Sequence, residues 1–236
     1  MSQRRKNKAR YIESDESEYE DNTRSQSRSL TGRDVEKLAG QVCNMLLVGE
    51  MKKIPAKSAD IRSIIQKKTK SSFENVMGRA GEIMQQVFGY EIKCVKGNSY
   101  ILVNSMSATL LKFQQLSKKE EAEWGVLIVT LIAIFMCEGT MNAAQLEAYL
   151  GTLGIDMATK GKTMLKDFVR KKYLDTSMEG SSDPPTLMYQ WGDRAHAEIS
   201  KGDLLELVCK VYGNVMKPSM WTYQWKLIND NKEKEQ

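Results

Sequence analysis

The residue types that could support catalysis are few in this chain, and their spacing does not assemble a reaction centre. A general base would have to be His196, the single histidine among 236 residues, and it has no nearby nucleophile in the sequence. The four cysteines include no C-x-x-C pair, and one histidine cannot complete a zinc site with them. We therefore expect a surface histidine, no enzyme activity, no metal and no cofactor.

The tripeptide Gly161-Lys162-Thr163 has the ending of a phosphate-binding P-loop. That motif also needs a glycine five positions before Gly161, where this chain has Asp156. A carboxylate at this position would repel phosphate, and no buried strand precedes it. The tripeptide therefore does not predict nucleotide binding.

Positive charge is concentrated in two runs of the sequence. Residues 52–70 have a net charge of +6 and residues 160–172 a net charge of +5, although the whole chain has only +5. Clustered basic side chains suit an acidic partner such as DNA. Because lysine predominates, binding would depend strongly on salt and little on base sequence. The alternative is a solvated helix face. The candidate DNA contacts are Lys160, Lys162, Lys166, Arg170, Lys171 and Lys172.

The elements that must position these residues are mostly helices. Apolar residues recur at helical spacing over 31–48, 58–67 and 73–89, and the period changes to two over 90–95 and 99–104. Three helices and a hairpin are the order of a winged-helix module.

The same order returns in the second half of the chain. Helical patterns cover 117–137, 142–150 and 162–172, strand patterns cover 173–175 and 186–191, and a last helix covers 200–212. The predicted fold class is therefore mainly α with small β wings, arranged as tandem winged-helix domains. Its expected segments are a disordered charged tail (1–29), the first module (30–108), the second module (109–216) and a polar C-terminal tail (217–236).

Composition also bears on the cell compartment. The longest apolar run, Trp124 to Cys137, has fourteen residues, fewer than the ~20 that a membrane-spanning helix needs, so it predicts a buried core helix. The widely spaced cysteines indicate a reducing compartment. A basic cluster between Arg4 and Arg10 fits either a nuclear import signal or an ordinary basic tail.

Leu46 and Leu47 widen the apolar face of the first predicted helix beyond what one core contact needs. Such a face either packs on the second module or binds a partner helix.

Several segments, in order from about Leu30 to Tyr212, resemble the MAGE homology domain. They are Leu46-Leu47, Lys53-Ile54-Pro55, Val87-Phe88-Gly89-Tyr90, Tyr100-Ile101-Leu102-Val103-Asn104, Phe168-Val169-Arg170-Lys171-Lys172-Tyr173-Leu174 and Tyr189-Gln190-Trp191-Gly192. The chain is most similar to the MAGE subgroup of the SMC five-six complex.

The resemblance implies a tandem winged-helix fold and a set of binding partners. In the family, the first module docks on a RING-type ubiquitin ligase, and the leucines that match Leu46 and Leu47 belong to that interface. In the SMC-associated subgroup, the second module binds a kleisin subunit through an apolar pocket and double-stranded DNA through basic residues. The basic role passes to the residues in or beside a matching segment, which are Lys166, Arg170, Lys171 and Lys172. Lys160 and Lys162 depend on the charge argument alone.

The expected function is therefore a non-catalytic scaffold of the SMC five-six chromosome-maintenance and DNA-repair complex, located in the nucleus on chromatin. Two alternatives stay open: a MAGE-type adaptor of a RING ubiquitin ligase outside that complex, and a winged-helix transcription regulator. No membrane partner is expected.

Overall fold

The computed structural model describes residues 30–65, 70–105, 117–180, 185–213 and 215–234. We call residues 32–104 the first module and residues 118–234 the second. The elements of the first module are α1 (Gly32–Met51), β1 (Ala56–Lys57), α2 (Ser58–Ile65), α3 (Lys70–Ile83), β2 (Tyr90–Val95) and β3 (Ser99–Asn104). Those of the second are α4 (Lys118–Met136), β4 (Thr140–Asn142), α5 (Ala143–Thr152), α6 (Lys162–Arg170), β5 (Leu174–Glu179), β6 (Thr186–Trp191), α7 (Asp193–Glu198), α8 (Lys201–Val211) and α9 (Thr222–Lys234).

The long first helix of each module begins at a capping box that the sequence predicts. Thr31 accepts from the backbone N–H of Asp34 and the Asp34 carboxylate accepts in return, and Ser117 and Glu120 form the same pair at α4. In the first module, a π-helical turn over Met84–Phe88 follows α3 and ends at Gly89, whose φ of 68° suits glycine.

The two modules have the same sheet topology. Each sheet is antiparallel, in the order β1-β3-β2 in the first module and β4-β6-β5 in the second. The predicted strands 90–95, 99–104 and 186–191 agree with β2, β3 and β6, while β5 is longer than its predicted range of 173–175. The mainly helical fold with small sheets in two similar halves is thus confirmed.

Each module encloses its own hydrophobic core. In the first, α1 and α3 pack through residues such as Val42, Val76 and Ala80. In the second, the C-terminal half of α4 is largely buried, in line with its apolar run, and the Trp191 indole donates to the Leu131 carbonyl oxygen at 2.9 Å. Among the described helices, none is long and apolar enough to cross a membrane.

The C-terminal segment 217–236, predicted as a polar tail, contains the helix α9. Ile228 and the Gln224 side chain are buried, and Gln224 donates to the Phe135 and Met136 carbonyls at the end of α4. Among the apolar side chains of α9, Ile228 is buried, while Tyr223 and Trp225 are exposed. The segment therefore lacks the regular apolar face that predicts a helix. The tail 1–29 and the module boundary at 108–109 lie outside the described residues.

The backbone at Gly192 lies so close to the backbone at Lys172 that a larger residue at position 192 should destabilise the fold. A Cβ on Gly192 would lie 2.3 Å from the Lys172 carbonyl oxygen, whereas one on Gly125 in α4 would meet nothing within 4 Å. We expect Gly192→Ala to lower the melting temperature by several degrees. Gly125→Ala should raise it slightly, because alanine favours helix by about 1 kcal/mol. Thermal unfolding of both variants checks this, and equal melting temperatures would contradict it.

Candidate functional site

A cleft of about 1020 Å³ separates the two modules. Its first-module wall comes from the last turns of α1 with Tyr90 and Val103, and its second-module wall comes from α4, α6 and Tyr173. Large apolar side chains are exposed on both walls: Val48 at 52%, Met51 at 86% and Trp124 at 39%. A concave surface of this kind suits a protein segment that carries apolar side chains.

The two candidate ligase contacts have different positions. Leu46 is only 3% exposed and packs in the core of the first module, whereas Leu47 is half-buried and lines the cleft. Neighbouring residues on a helix point about 100° apart, so one leucine of the pair faces the core and the other faces outward. Leu47 is therefore the one available for contact, and Leu46 supports the helix beneath it.

A buried arginine joins the modules at the base of the cleft. The Arg194 side chain of α7 is inaccessible to solvent, and its Nη1 donates to Glu50 of α1 at 3.0 Å and to Glu198 of α7 at 2.8 Å. The same atom lies 3.5 Å from the Leu102 carbonyl oxygen of β3. One side chain thus contacts both modules.

The charges around Arg194 balance. Lys53 contacts both Glu50 and Glu198, and the Tyr173 hydroxyl donates to Glu198 at 2.7 Å. Burial disfavours the charge of Arg194, but the two carboxylates outweigh it and raise the pKa of the guanidinium. Burial, together with Glu198, also raises the pKa of the Tyr173 phenol, so this hydroxyl stays protonated and keeps its hydrogen bond.

A second contact between the modules involves the turn of the first hairpin. The backbone N–H of Lys96 donates to Asp193 at 2.7 Å, and the Lys96 ammonium donates to Asp175 at 3.0 Å. The hydrogen bond to Asp175 raises the pKa of Lys96. The first hairpin therefore packs against the second module.

The six candidate DNA residues lie on and beside α6, but they are not equally available. Lys160, Lys166 and Arg170 are exposed, and Lys171 and Lys172 are half-buried. Lys162 lies 3.2 Å from Glu147. Among the described residues, no carboxylate forms an ion pair with Lys160, Lys166 or Lys172.

Asp167 neutralises part of this face. It pairs with Arg170, and it lies 2.7 Å from the Lys171 ammonium. Burial alone would raise the pKa of the Asp167 carboxyl, but the hydrogen bonds from these two side chains lower it. Asp167 is therefore ionised at neutral pH and already pairs with both cations.

The candidate general base and the candidate P-loop do not form a reaction or phosphate site. His196 is exposed, as predicted, with its ring 5.5 Å from that of Trp191. Asp156 accepts from the backbone N–H groups of Ala158 and Thr159, so a carboxylate already occupies the donors that a P-loop would offer to phosphate. In the described ranges, no group of three or more side chains is placed to hold a metal ion.

Sequence reasoning did not find Arg194, Glu50, Glu198 or Trp124 as site residues. The spacing of Arg194 and Glu198, four residues apart on one helix, was a signal for their pair. Glu50 is 144 residues away from Arg194, and no local pattern connects them.

Fold and site together define a class of protein: two helix-rich modules, each closed by a three-stranded sheet, that meet over an apolar cleft. Residues 42–202 match the family model of the MAGE homology domain. The chain belongs to the MAGE family, which confirms the resemblance in its sequence.

Individual relatives agree with this assignment. The human protein named non-structural maintenance of chromosomes element 3 homolog is 30% identical over 202 residues, which are 82% of this chain and 66% of that protein. Human melanoma-associated antigen D2 is 30% identical over 206 residues, 82% of this chain and 34% of that protein. The chain thus spans just under two thirds and about one third of these relatives.

One solved structure has the same fold. A chain from a structure entitled "Nse1-Nse3-Nse4 complex" superposes with a TM-score of 0.75 and 29% sequence identity. The match covers 85% of the present chain and 100% of that chain.

The junction between the modules predicts a large effect on stability. Arg194→Met leaves Glu50 and Glu198 without their buried cation, so we expect the free energy of unfolding to fall by about 3–5 kcal/mol. Urea denaturation measures this loss. Adding Glu50→Gln and Glu198→Gln to the same chain should recover part of it, because the two carboxylates that lost their buried cation are then neutral. A loss below about 1 kcal/mol in the single variant would contradict a structural role for the junction.

Proposed function

We propose that this chain is a non-catalytic scaffold subunit of an SMC five-six chromosome-maintenance and DNA-repair complex. It binds a RING-type ubiquitin ligase, a kleisin subunit and double-stranded DNA. The observation that carries this proposal is the structural match to one chain of a structure entitled "Nse1-Nse3-Nse4 complex". The match covers 100% of that chain. The human relative with chromosome maintenance in its name supports it.

The ligase binds at the first-module wall of the cleft. Leu47 is half-buried there, beside the exposed Val48 and Met51. Burying such side chains against a partner stabilises the complex, and a leucine anchor contributes on the order of 1 to 3 kcal/mol. The wall needs no chemical step to act, because its role is to hold the ligase in a defined place.

The kleisin binds the second module through an apolar surface. On the cleft wall of this module, Trp124 is 39% exposed and packs edge-on against Tyr173, with ring centroids 5.9 Å apart. A partly exposed tryptophan on a rigid helix is a common anchor for a partner side chain. We therefore place a kleisin contact at Trp124.

DNA binds along the basic residues on and beside α6. The cations without an ion pair among the described residues are Lys160, Lys166 and Lys172. Arg170 and Lys171 are paired with Asp167, and Lys162 is paired with Glu147. Contacts of this type go to phosphates, so they depend on salt and carry little sequence preference. DNA binding of this kind places the protein on chromatin in the nucleus.

A second candidate function has an observation of its own. Human melanoma-associated antigen D2 has the same 30% identity to this chain as the human chromosome-maintenance relative. This supports a MAGE-type adaptor of a RING ubiquitin ligase outside the SMC five-six complex. Such an adaptor would keep the Leu47 surface and would not need DNA. A transcription regulator is the third reading, and it would select one motif from a pool of random duplexes.

The ligase surface can be tested at Leu47. We expect Leu47→Ala to weaken binding of a purified RING-type ligase subunit by about tenfold, because the variant loses apolar contact area at the interface. Isothermal titration calorimetry measures the affinity. Val87→Ala is the matched control, since Val87 is a first-module aliphatic residue that is 69% exposed and outside the cleft lining. Equal affinities of wild type and Leu47→Ala would sink the ligase assignment.

The DNA surface can be tested by changing its charge in both directions. Reversal of Lys166 and Lys172 to Glu should weaken duplex binding and flatten its dependence on salt, because fewer phosphates are contacted. Asp167→Asn should tighten binding, since Arg170 and Lys171 lose their competing carboxylate. Fluorescence anisotropy with a random-sequence duplex over a salt series measures both. Unchanged binding in both variants would remove DNA from the proposal and favour the adaptor.

A further inference from the structure

We infer that Arg194 is a positioning residue that couples the ligase surface to the DNA surface, so that binding of one partner raises affinity for the other. The inference rests on the proposed function, because both surfaces must bind their partners. It adds a thermodynamic connection between two sites that lie on different modules.

On the first module, the connection runs along one turn of α1. Leu47 and Glu50 are three residues apart, so they are neighbours on the helix surface. The Glu50 carboxylate, 10% exposed, accepts from Arg194 Nη1 at 3.0 Å. A partner that packs on Leu47 therefore also restrains the turn that holds the Arg194 contact.

On the second module, Arg194 holds the turn that follows α6. Its Nε donates to the Lys171 carbonyl oxygen at 3.0 Å, and its backbone N–H donates to the Lys172 carbonyl oxygen at 2.9 Å. Both lysines are candidate DNA contacts. The backbone of the basic surface is thus tied to the residue that pairs with Glu50.

The backbone of Lys172 depends on these restraints. Its φ is 66°, a left-handed conformation that is strained for a non-glycine residue. Such a conformation persists when its surroundings hold it in place. Here the restraints are the Arg194 hydrogen bonds and the close packing of Gly192 on the Lys172 carbonyl.

The buried ion pairs of Arg194 resist separation of Glu50 from the second module. If Glu50 moves away, Arg194 keeps a buried charge with one carboxylate fewer, which is unfavourable. A ligase that restrains the end of α1 holds Glu50 on Arg194 and thereby the turn at Lys171 and Lys172 in one conformation. DNA then binds a surface that is already ordered, and the ordering entropy no longer opposes binding.

The test measures DNA affinity of the full chain with and without a saturating amount of a purified RING-type ligase subunit. For wild type we expect DNA to bind about fivefold more tightly with the ligase present, within the usual range of coupling between sites. For Glu50→Gln we expect a change below about twofold, because the ion pair that transmits the effect is lost. Glu82→Gln is the matched control, since Glu82 is exposed and pairs with Arg79 away from the junction, and it should behave as wild type.

Two further measurements make the outcome decisive. Ligase affinity with and without DNA must change by the same factor as DNA affinity, because coupling is reciprocal. Glu50→Asp keeps the charge but shortens its reach to Arg194, and it gives the same expected result if Glu50→Gln does not fold.

The outcomes separate the inference from the proposed function. If wild type binds both partners but each affinity is independent of the other, the inference is wrong and the scaffold function stands. If Glu50→Gln keeps the full effect, the ligase acts on DNA without Arg194, and the inference is again wrong. If wild type fails to bind the ligase or DNA, the proposed function is contradicted, and the inference with it.

Discussion

The arrangement of the two modules depends on one buried cation. Arg194 has no solvent access, and it contacts Glu50 of the first module and Glu198 of the second through the same nitrogen. Removing a charge from water is costly, so the buried Arg194 and its two carboxylates are tolerated only where every charge has a partner and every polar atom a hydrogen bond. Lys53 and the Tyr173 hydroxyl complete these contacts. A different angle between the modules would separate Glu50 from Arg194 and leave this buried cation with Glu198 alone, which disfavours alternative arrangements.

The cleft follows from this constraint, because each module supplies only one of its walls. The Lys96 contacts with Asp175 and Asp193 join the modules at a second point. Two separate contacts oppose rotation, whereas one contact alone would act as a pivot. Apolar residues that would be scattered on separate modules, Leu47 and Trp124 among them, therefore face a shared concave surface. Binding through that surface needs little rearrangement, and less ordering entropy opposes it.

The basic run on and beside α6 shows how a net charge can overstate the number of unpaired cations. The run 160–172 has a net charge of +5 in the sequence, but Asp167 engages Arg170 and Lys171, and Glu147 engages Lys162. Phosphates of a bound DNA would have to displace these carboxylates to reach Lys162, Arg170 and Lys171. The remaining attraction is that of partly exposed lysines in water, which salt screens strongly.

The sequence by itself determined the elements whose signals are local. Capping boxes at Thr31 and Ser117, helical periodicity and the hairpin at 90–104 each involve residues within a few positions or turns of one another, and the structure agrees with them. The strands β1 and β4 have two and three residues, too few for a period to appear. Only the tertiary structure decided which leucine of the pair faces the cleft and that Arg194 meets Glu50, 144 residues away. Such a pair exists because two modules pack together, and packing between distant segments leaves no mark on local spacing.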